Sequence, residues 1–182
     1  YRKSFIDEFQ MIFNEYVNLV SGGKDSWKIK YMPSILNGDH KDTYKKSLED
    51  AVTNDLRYKQ TTRGVHRDKI MVVNDNNLES DISIVGSQGQ KRTAVLGLKM
   101  AQYDYTKSRT SEKPVLLIDD VLNELDIERR KKFINFIQNA GQTFITATDI
   151  SALEDFILLK KIHSKVQLFN QKKDDEWEMV SL

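Results

Sequence analysis

Apolar residues recur along the chain first with a helical period and later in short uninterrupted runs. Over residues 4–20 they lie three or four positions apart, as on one face of an amphipathic helix, and Gly22 and Gly23 follow where that helix should end. The pattern predicts further helices over 39–58, 89–105, 126–138 and 150–161, and strands over 27–32, 70–73, 78–84, 114–119, 142–147, 166–169 and 177–180.

The order of these elements predicts an α/β protein in two parts. Residues 1–110 combine helices with an antiparallel hairpin that turns at 74–77, whereas residues 111–182 begin by alternating strand and helix as a parallel sheet does. A second hairpin, turning at 172–175, is predicted to close the chain.

Two adjacent carboxylates end the predicted strand at 114–119. The apolar run Val115–Ile118 suits a strand buried on both faces of a parallel sheet, whose carboxyl end opens onto a ligand crevice. Asp119 and Asp120 at that end are costly unless they face a cation, water or another partner. The stretch therefore favours a magnesium–nucleotide site, and the alternative is a strand whose following loop simply begins with acids.

Residues 86–93, with the sequence GSQGQKRT, predict a helix start that can bind an anion. Ser87 and Gln90 have the spacing of a capping box, in which each satisfies a backbone amide of the other. Free amides, the helix dipole and the basic Lys91 and Arg92 favour a phosphate there. A well-capped helix with no ligand is the alternative.

The sequence carries no phosphate-binding P-loop of its own. The nearest candidate, 21–25, has Asn18 where a glycine is needed and Asp25 where Ser or Thr should follow the lysine, and it follows a helix rather than a strand.

Composition excludes several classes of function. The 182 residues hold 28 Lys+Arg against 27 Asp+Glu, a net charge of +1, so global charge does not indicate a nucleic-acid binder. The absence of cysteine excludes disulfides, thiolate zinc sites and cysteine nucleophiles, and suits a cytoplasmic protein. No apolar run is long enough to span a membrane and no signal peptide is present. Because the chain starts at Tyr1, we expect it to be a piece of a longer protein.

Taken together, these motifs resemble the C-terminal half of an ABC-type ATPase head of the SMC kind, and more closely the RecF family of bacterial DNA replication and repair proteins. The matching stretches, in order, are 62–68 for the family's Gly-Pro-His-Arg-Asp-Asp segment, 86–93 for the signature loop, 115–120 for the Walker B strand, 123–126 for the D-loop and 142–149 for the strand before the switch loop.

Four positions depart from the family pattern. Val65 stands where the family has proline, and Lys69 where a second aspartate is usual. Thr148 holds the switch position that is often histidine. Asp120 replaces the usual glutamate and is one methylene shorter, which puts the rate of hydrolysis in doubt.

The resemblance implies a role for each site residue in a Mg-ATP pocket shared by two subunits. Asp119 would hold magnesium through water and Asp120 would polarise the attacking water. Ser87, Gln88, Gly89 and Gln90 would bind the γ-phosphate of the nucleotide held by the other subunit. Asp126 would cross the dimer interface, and Thr148 would sense the γ-phosphate.

The same resemblance implies a function in recombinational DNA repair, replication and the SOS response. The parent protein would dimerise around ATP, bind single-stranded and gapped duplex DNA, work with RecO and RecR, and help to load RecA. Without the P-loop half, the 182 residues alone should not hydrolyse ATP.

Two other classes of function stay open. One is a non-catalytic DNA- or protein-interaction domain whose acidic strand end is structural. The other is a metal-dependent phosphoesterase using Asp119 and Asp120, for which the three histidines, His40, His66 and His163, lie far from the strand in sequence. His66 is expected to be a structural hydrogen-bonding residue.

Overall fold

The computed structural model describes residues 1–35, 41–74, 77–122, 125–146, 168–171 and 177–180. Backbone contacts divide the chain into two compact units, 1–114 and 115–182, which are described in turn. Among the described helices, none combines the length and the apolar character that crossing a lipid bilayer requires.

The first unit combines four helices with an antiparallel sheet. Its elements are α1 (Arg2–Ser21), β1 (Trp27–Met32), α2 (Lys41–Tyr58), a 3-10 turn (Val65–Arg67), β2 (Lys69–Asn74), β3 (Asn77–Asp81), α3 (Ile82–Val85) and α4 (Gln88–Thr110). The strands lie in the order β1-β2-β3, and β1 pairs with β2 from Trp27↔Asn74 to Met32↔Lys69. As the sequence predicts, Gly22 ends α1 in the left-handed conformation.

The core of this unit lies where α1 packs along α4. Phe13, Val17 and Trp27 are fully buried there. A side chain at Gly97 would lie 2.9 Å from Val17, so the glycine permits the close approach of the two helices. Tyr105 packs against the same core. Its ring meets the Phe5 ring edge-on, with 5.1 Å between the ring centroids.

The second unit begins with a parallel pair of strands joined through a helix. Its described elements are β4 (Leu116–Asp119), α5 (Ile127–Asn139), β5 (Thr143–Thr146), β6 (Leu168–Gln171) and β7 (Trp177–Val180). The pairing of β4 with β5 runs from Leu116↔Thr143 to Asp119↔Thr146, and β6 pairs with β7 antiparallel. Among the residues whose burial the structure describes, the core of this unit includes Ile118, Leu122, Leu125, Phe133, Ile134 and Ile137.

The mixed α/β architecture agrees with the prediction, and two details correct it. Residues 82–84, predicted as strand, belong to helix α3, because the Asp81 side chain caps that helix by accepting a hydrogen bond from the Ser83 amide at 2.8 Å. The strand at 115–118 is not buried on both faces: Leu117 is exposed and only Ile118 is buried. The predicted helix at 150–161 and turn at 172–175 lie outside the described residues.

Candidate nucleotide site

The two aspartates lie at the carboxyl end of β4, both exposed to solvent. The Thr146 hydroxyl donates a hydrogen bond to Asp119 Oδ1 at 2.5 Å. The backbone amide of Asp120 donates to the Thr146 hydroxyl oxygen at 3.0 Å. Thr146 therefore ties the Asp119 side chain and the Asp120 backbone to the end of β5.

Asp120 has a left-handed backbone with φ of 50°, a conformation that aspartate tolerates better than most residues. The chain turns sharply at this point, directly after the strand. The result is a hydrogen-bonded strand end that presents carboxylate oxygens to solvent, which suits binding of a hard cation such as Mg²⁺. Within the described ranges, no group of three or more His, Cys, Asp or Glu side chains could hold a metal ion.

The capping box predicted at the start of α4 is present. The Gln90 amide donates to Ser87 Oγ at 3.2 Å, and the Ser87 amide donates to Gln90 Oε1 at 3.0 Å. The amides of Gln88 and Gly89 occupy the first helical turn, where no intrahelical acceptor exists. Ser87 and Gln88 are exposed, so this turn can meet a ligand from solvent.

Gly86 fixes the approach to this turn. A Cβ atom on Gly86 would lie 2.5 Å from the Ile82 carbonyl oxygen, a backbone atom that cannot move aside. Just before it, the apolar Ile84 and Val85 are largely exposed, at 77% and 63%. The turn at Ser87 is therefore bordered by an apolar surface that a second polypeptide can cover.

Asp126 begins α5 rather than reaching freely into solvent. Its carboxylate accepts a hydrogen bond from the Arg129 amide at 3.0 Å and forms an ion pair with the Arg129 guanidinium. The amide of Arg129 holds the pKa of this carboxyl below its usual range, so Asp126 stays ionised at neutral pH. Positions 123 and 124, which the resemblance assigns to a D-loop, lie outside the described residues, as does Thr148.

The stretch 62–68 forms a braced loop in the first unit. His66 Nε2 lies 3.3 Å from the Thr61 carbonyl oxygen, in keeping with a structural hydrogen bond. The Arg67 guanidinium donates to the same oxygen at 2.7 Å, and Arg63 donates to the Ser34 carbonyl at 3.0 Å. These contacts fix the loop while leaving all three side chains exposed.

Thr146 is the residue that the sequence analysis missed. Its role follows from the register, which places it opposite Asp119 in the parallel pair. The sequence offers only a weak indication of this contact, because finding it requires aligning the ends of two strands whose pairing the sequence does not show.

Comparison with known proteins identifies relatives described as DNA replication and repair protein RecF. The chain is 36% identical over 172 residues to the DNA replication and repair protein RecF of Leptospira interrogans (strain 56601), an alignment that spans 94% of the chain and 46% of the relative. For RecF of Lachnospira eligens the identity is 38%, over 86% of the chain and 40% of the relative. For RecF of Clostridium beijerinckii it is 39%, over 83% and 39%. No family model matches the chain.

The fold is similar to that of solved RecF structures. A structure of the recombination mediator protein RecF with ATPrS, in the RecFOR pathway, superposes with a TM-score of 0.74 and 25% identity, and the match covers 99% of the chain and 46% of that protein. The corresponding RecF-ATP structure superposes with a TM-score of 0.72. The chain thus spans a little under half the length of the relatives it matches.

Proposed function

Because the chain is homologous to one half of RecF, the DNA replication and repair protein, we propose that it supplies the C-terminal half of an ATP-dependent DNA clamp. Residues 1–110 would be the signature-containing lobe, and residues 111–182 the Walker B part of the ATPase lobe. The P-loop would come from the half of the protein that the chain does not match.

The exposed carboxylate pair at the end of β4 carries this proposal. Mg²⁺ is usually held by one or two carboxylates together with nucleotide phosphates, rather than by a complete cage of protein ligands. Asp119, oriented by Thr146, would hold the ion through water, and Asp120 would polarise the attacking water. This arrangement fits a nucleotide site better than a phosphoesterase, since the described residues offer no third ligand nearby.

The start of α4 would close the pocket from the opposite subunit. The Ser87 hydroxyl and the amides of Gln88 and Gly89 can face a γ-phosphate. The Gln90 amide already donates to Ser87 Oγ, so Gln90 would act mainly by holding the serine in place. The exposed apolar Ile84 and Val85 would be covered when this turn meets the nucleotide-holding surface of the other subunit.

The finer parts of the proposal follow the family. Asp126 would contribute from the start of α5 to the dimer interface, and Thr148 would sense the γ-phosphate. ATP would hold the dimer together and hydrolysis would release it. The complete protein would act in the cytoplasm on single-stranded and gapped DNA with RecO and RecR, in recombinational repair and the SOS response.

Reconstitution with the P-loop half in trans tests the signature assignment. Ser87→Arg places a cation and a bulky chain where the γ-phosphate should lie and should abolish ATP-dependent association, measured by sedimentation velocity. Ser108→Arg, an exposed position at the other end of the same helix, serves as the matched control and should associate like wild type. Equal association of both variants would remove the signature turn from the nucleotide site.

The role of Asp120 is tested separately by turnover. Asp120→Asn keeps the size of the side chain but removes the charge that polarises water. ATP-dependent association should persist while phosphate release falls by about 100-fold or more. If neither the wild-type protein nor the Asp120→Asn variant dimerises in the presence of ATP, the chain is an interaction domain. If the isolated 182 residues cleave phosphoesters with a divalent metal, the phosphoesterase alternative holds.

A further inference from the structure

An open groove of about 1000 Å³ lies in the first unit, and none of its lining residues belongs to the Ser87 turn. One wall is α2, and the other is formed by the end of β1 and the braced loop at 62–68. Buried side chains, among them Ile35 and Ala51, form part of its lining. Its size is at the upper end of small-ligand pockets.

Positive charge dominates this groove. Its lining includes four cationic side chains, Lys46, Arg63, Arg67 and Lys69, against one acidic side chain, Asp50, among the described residues. This local excess contrasts with the net charge of +1 for the whole chain. Within the described part of the chain, Lys46 and Lys69 form no ion pair, so their charges are available to a ligand.

The two arginines are held in place by the protein backbone. Arg63 donates to the Ser34 carbonyl at 3.0 Å, and Arg67 donates to the Thr61 carbonyl at 2.7 Å. Both acceptors are uncharged carbonyl groups, so neither contact neutralises a guanidinium charge. The Asp55 carboxylate lies near enough to Arg67 for their charges to interact, whereas no acidic group pairs with Arg63 among the described residues. The arginines are therefore pre-positioned for an anion, which lowers the entropy cost of binding it.

An aromatic side chain completes the groove. Tyr58, at the end of α2, lines it and is largely exposed. The Arg57 guanidinium lies 5.7 Å from the centre of the same ring. Several cations that share a groove with an exposed aromatic ring are the combination that single-stranded nucleic acids bind, with phosphates on the cations and a base on the ring.

We propose that the groove between α2 and the loop at 62–68 binds the phosphate backbone of a single-stranded DNA segment. The inference deepens the proposed function, since it rests on the chain acting on DNA, but it places this contact in the first unit and independently of ATP. Lys46 and Lys69 would neutralise phosphates, and Tyr58 would stack on a base.

The test uses oligonucleotide binding by the 182-residue chain without nucleotide. Lys46→Gln combined with Lys69→Gln removes two groove charges. The matched control, Lys99→Gln combined with Lys107→Gln, removes two exposed charges from α4, outside the groove, and among the described residues neither lysine forms an ion pair. Affinity for a fluorescent single-stranded oligothymidine is measured by anisotropy across a salt series, and for a duplex of equal length as a second probe.

The groove variant should bind the single strand more weakly, and the negative slope of log K against log salt should become shallower by about 1.4, or about 0.7 for each lost phosphate contact. The control should keep the wild-type slope. Equal losses in both variants, a stronger effect on the duplex than on the single strand, or no binding by the wild-type chain would each overturn the groove assignment. None of these outcomes affects ATP-dependent association, which tests the proposed function on its own.

Discussion

Asp68 shows how one carboxylate can organise a loop in the first unit. Its side chain is only 6% exposed and accepts hydrogen bonds from Tyr31 Oη at 2.5 Å, the Ser34 amide at 2.9 Å and Arg2 Nη1 at 2.7 Å. Burial raises the pKa of this carboxyl, but the three donors outweigh it and the pKa lies below its usual range. Asp68 thereby connects α1, β1 and the braced loop.

Replacing Asp68 with Asn should destabilise the chain by about 2 kcal/mol at pH 7. The NH2 group of the asparagine would face hydrogen-bond donors that the carboxylate oxygens now accept from. A depressed folded-state pKa gives stability that is complete above the unfolded value of about 4 and is lost as pH falls through the folded value. The difference between wild type and variant in the free energy of unfolding, measured with urea, should therefore shrink below about pH 4. Asp7→Asn, at an exposed position on α1, is the control. A difference that stays constant from pH 7 to pH 3 would contradict this account.

Individual residues also show what the sequence could and could not predict. The Ser87–Gln90 capping box was predictable because it depends on four consecutive positions. The contact of Thr146 with Asp119 was not, because it joins residues 27 positions apart and depends on strand register. The site assignments themselves stay predictions, since they require the rest of the nucleotide pocket.

At the level of elements, apolar spacing predicted α1, β1 and the weakly periodic α2, and it failed at residues 82–84, where a local cap decides the structure. α1 and β1 follow the predicted bounds closely, since their apolar spacing fits one secondary structure only. The Ile82–Val85 segment misled because β-branched residues favour a strand, while the Asp81 cap decides locally for a helix. A local side-chain contact can thus override intrinsic propensity.

The short connection between α3 and α4 yields the prediction at this scale. Gly86→Ala should destabilise the chain by about 1–3 kcal/mol, since the added methyl meets the Ile82 carbonyl at 2.5 Å and the two helices must separate to relieve the overlap. Gly89→Ala lies in the first turn of α4, where alanine is a better helix former, and should be neutral or stabilising. Thermal unfolding followed by circular dichroism compares the two. Similar melting temperatures would mean that the connection is not constrained as described.

At the scale of the whole chain, the largest departure from the prediction is the exposure of one face of the β4–β5 sheet. Leu117 and Phe144 are register partners on one face, and both are exposed. The uninterrupted apolar run predicted burial on both faces of the sheet. Such a run does not reveal which polypeptide segment packs against each face. The relatives are about twice as long as the matched region, and we infer that their additional half would cover this face.

An uncovered face of this kind should make the isolated chain self-associate. Leu117→Lys should weaken that association by about ten- to a hundredfold, because burying a leucine contributes about 1.5–3 kcal/mol. Leu56→Lys on α2 is the matched control, since Leu56 is 75% exposed and Leu117 is 74% exposed. Sedimentation velocity over a concentration series measures the association, and binding of a hydrophobic dye reports the exposed surface. With the P-loop half present, Leu117→Lys should impair assembly of the two halves, whereas Leu56→Lys should not. If both variants behave alike in both settings, the β4–β5 face is not where the other half of the protein packs.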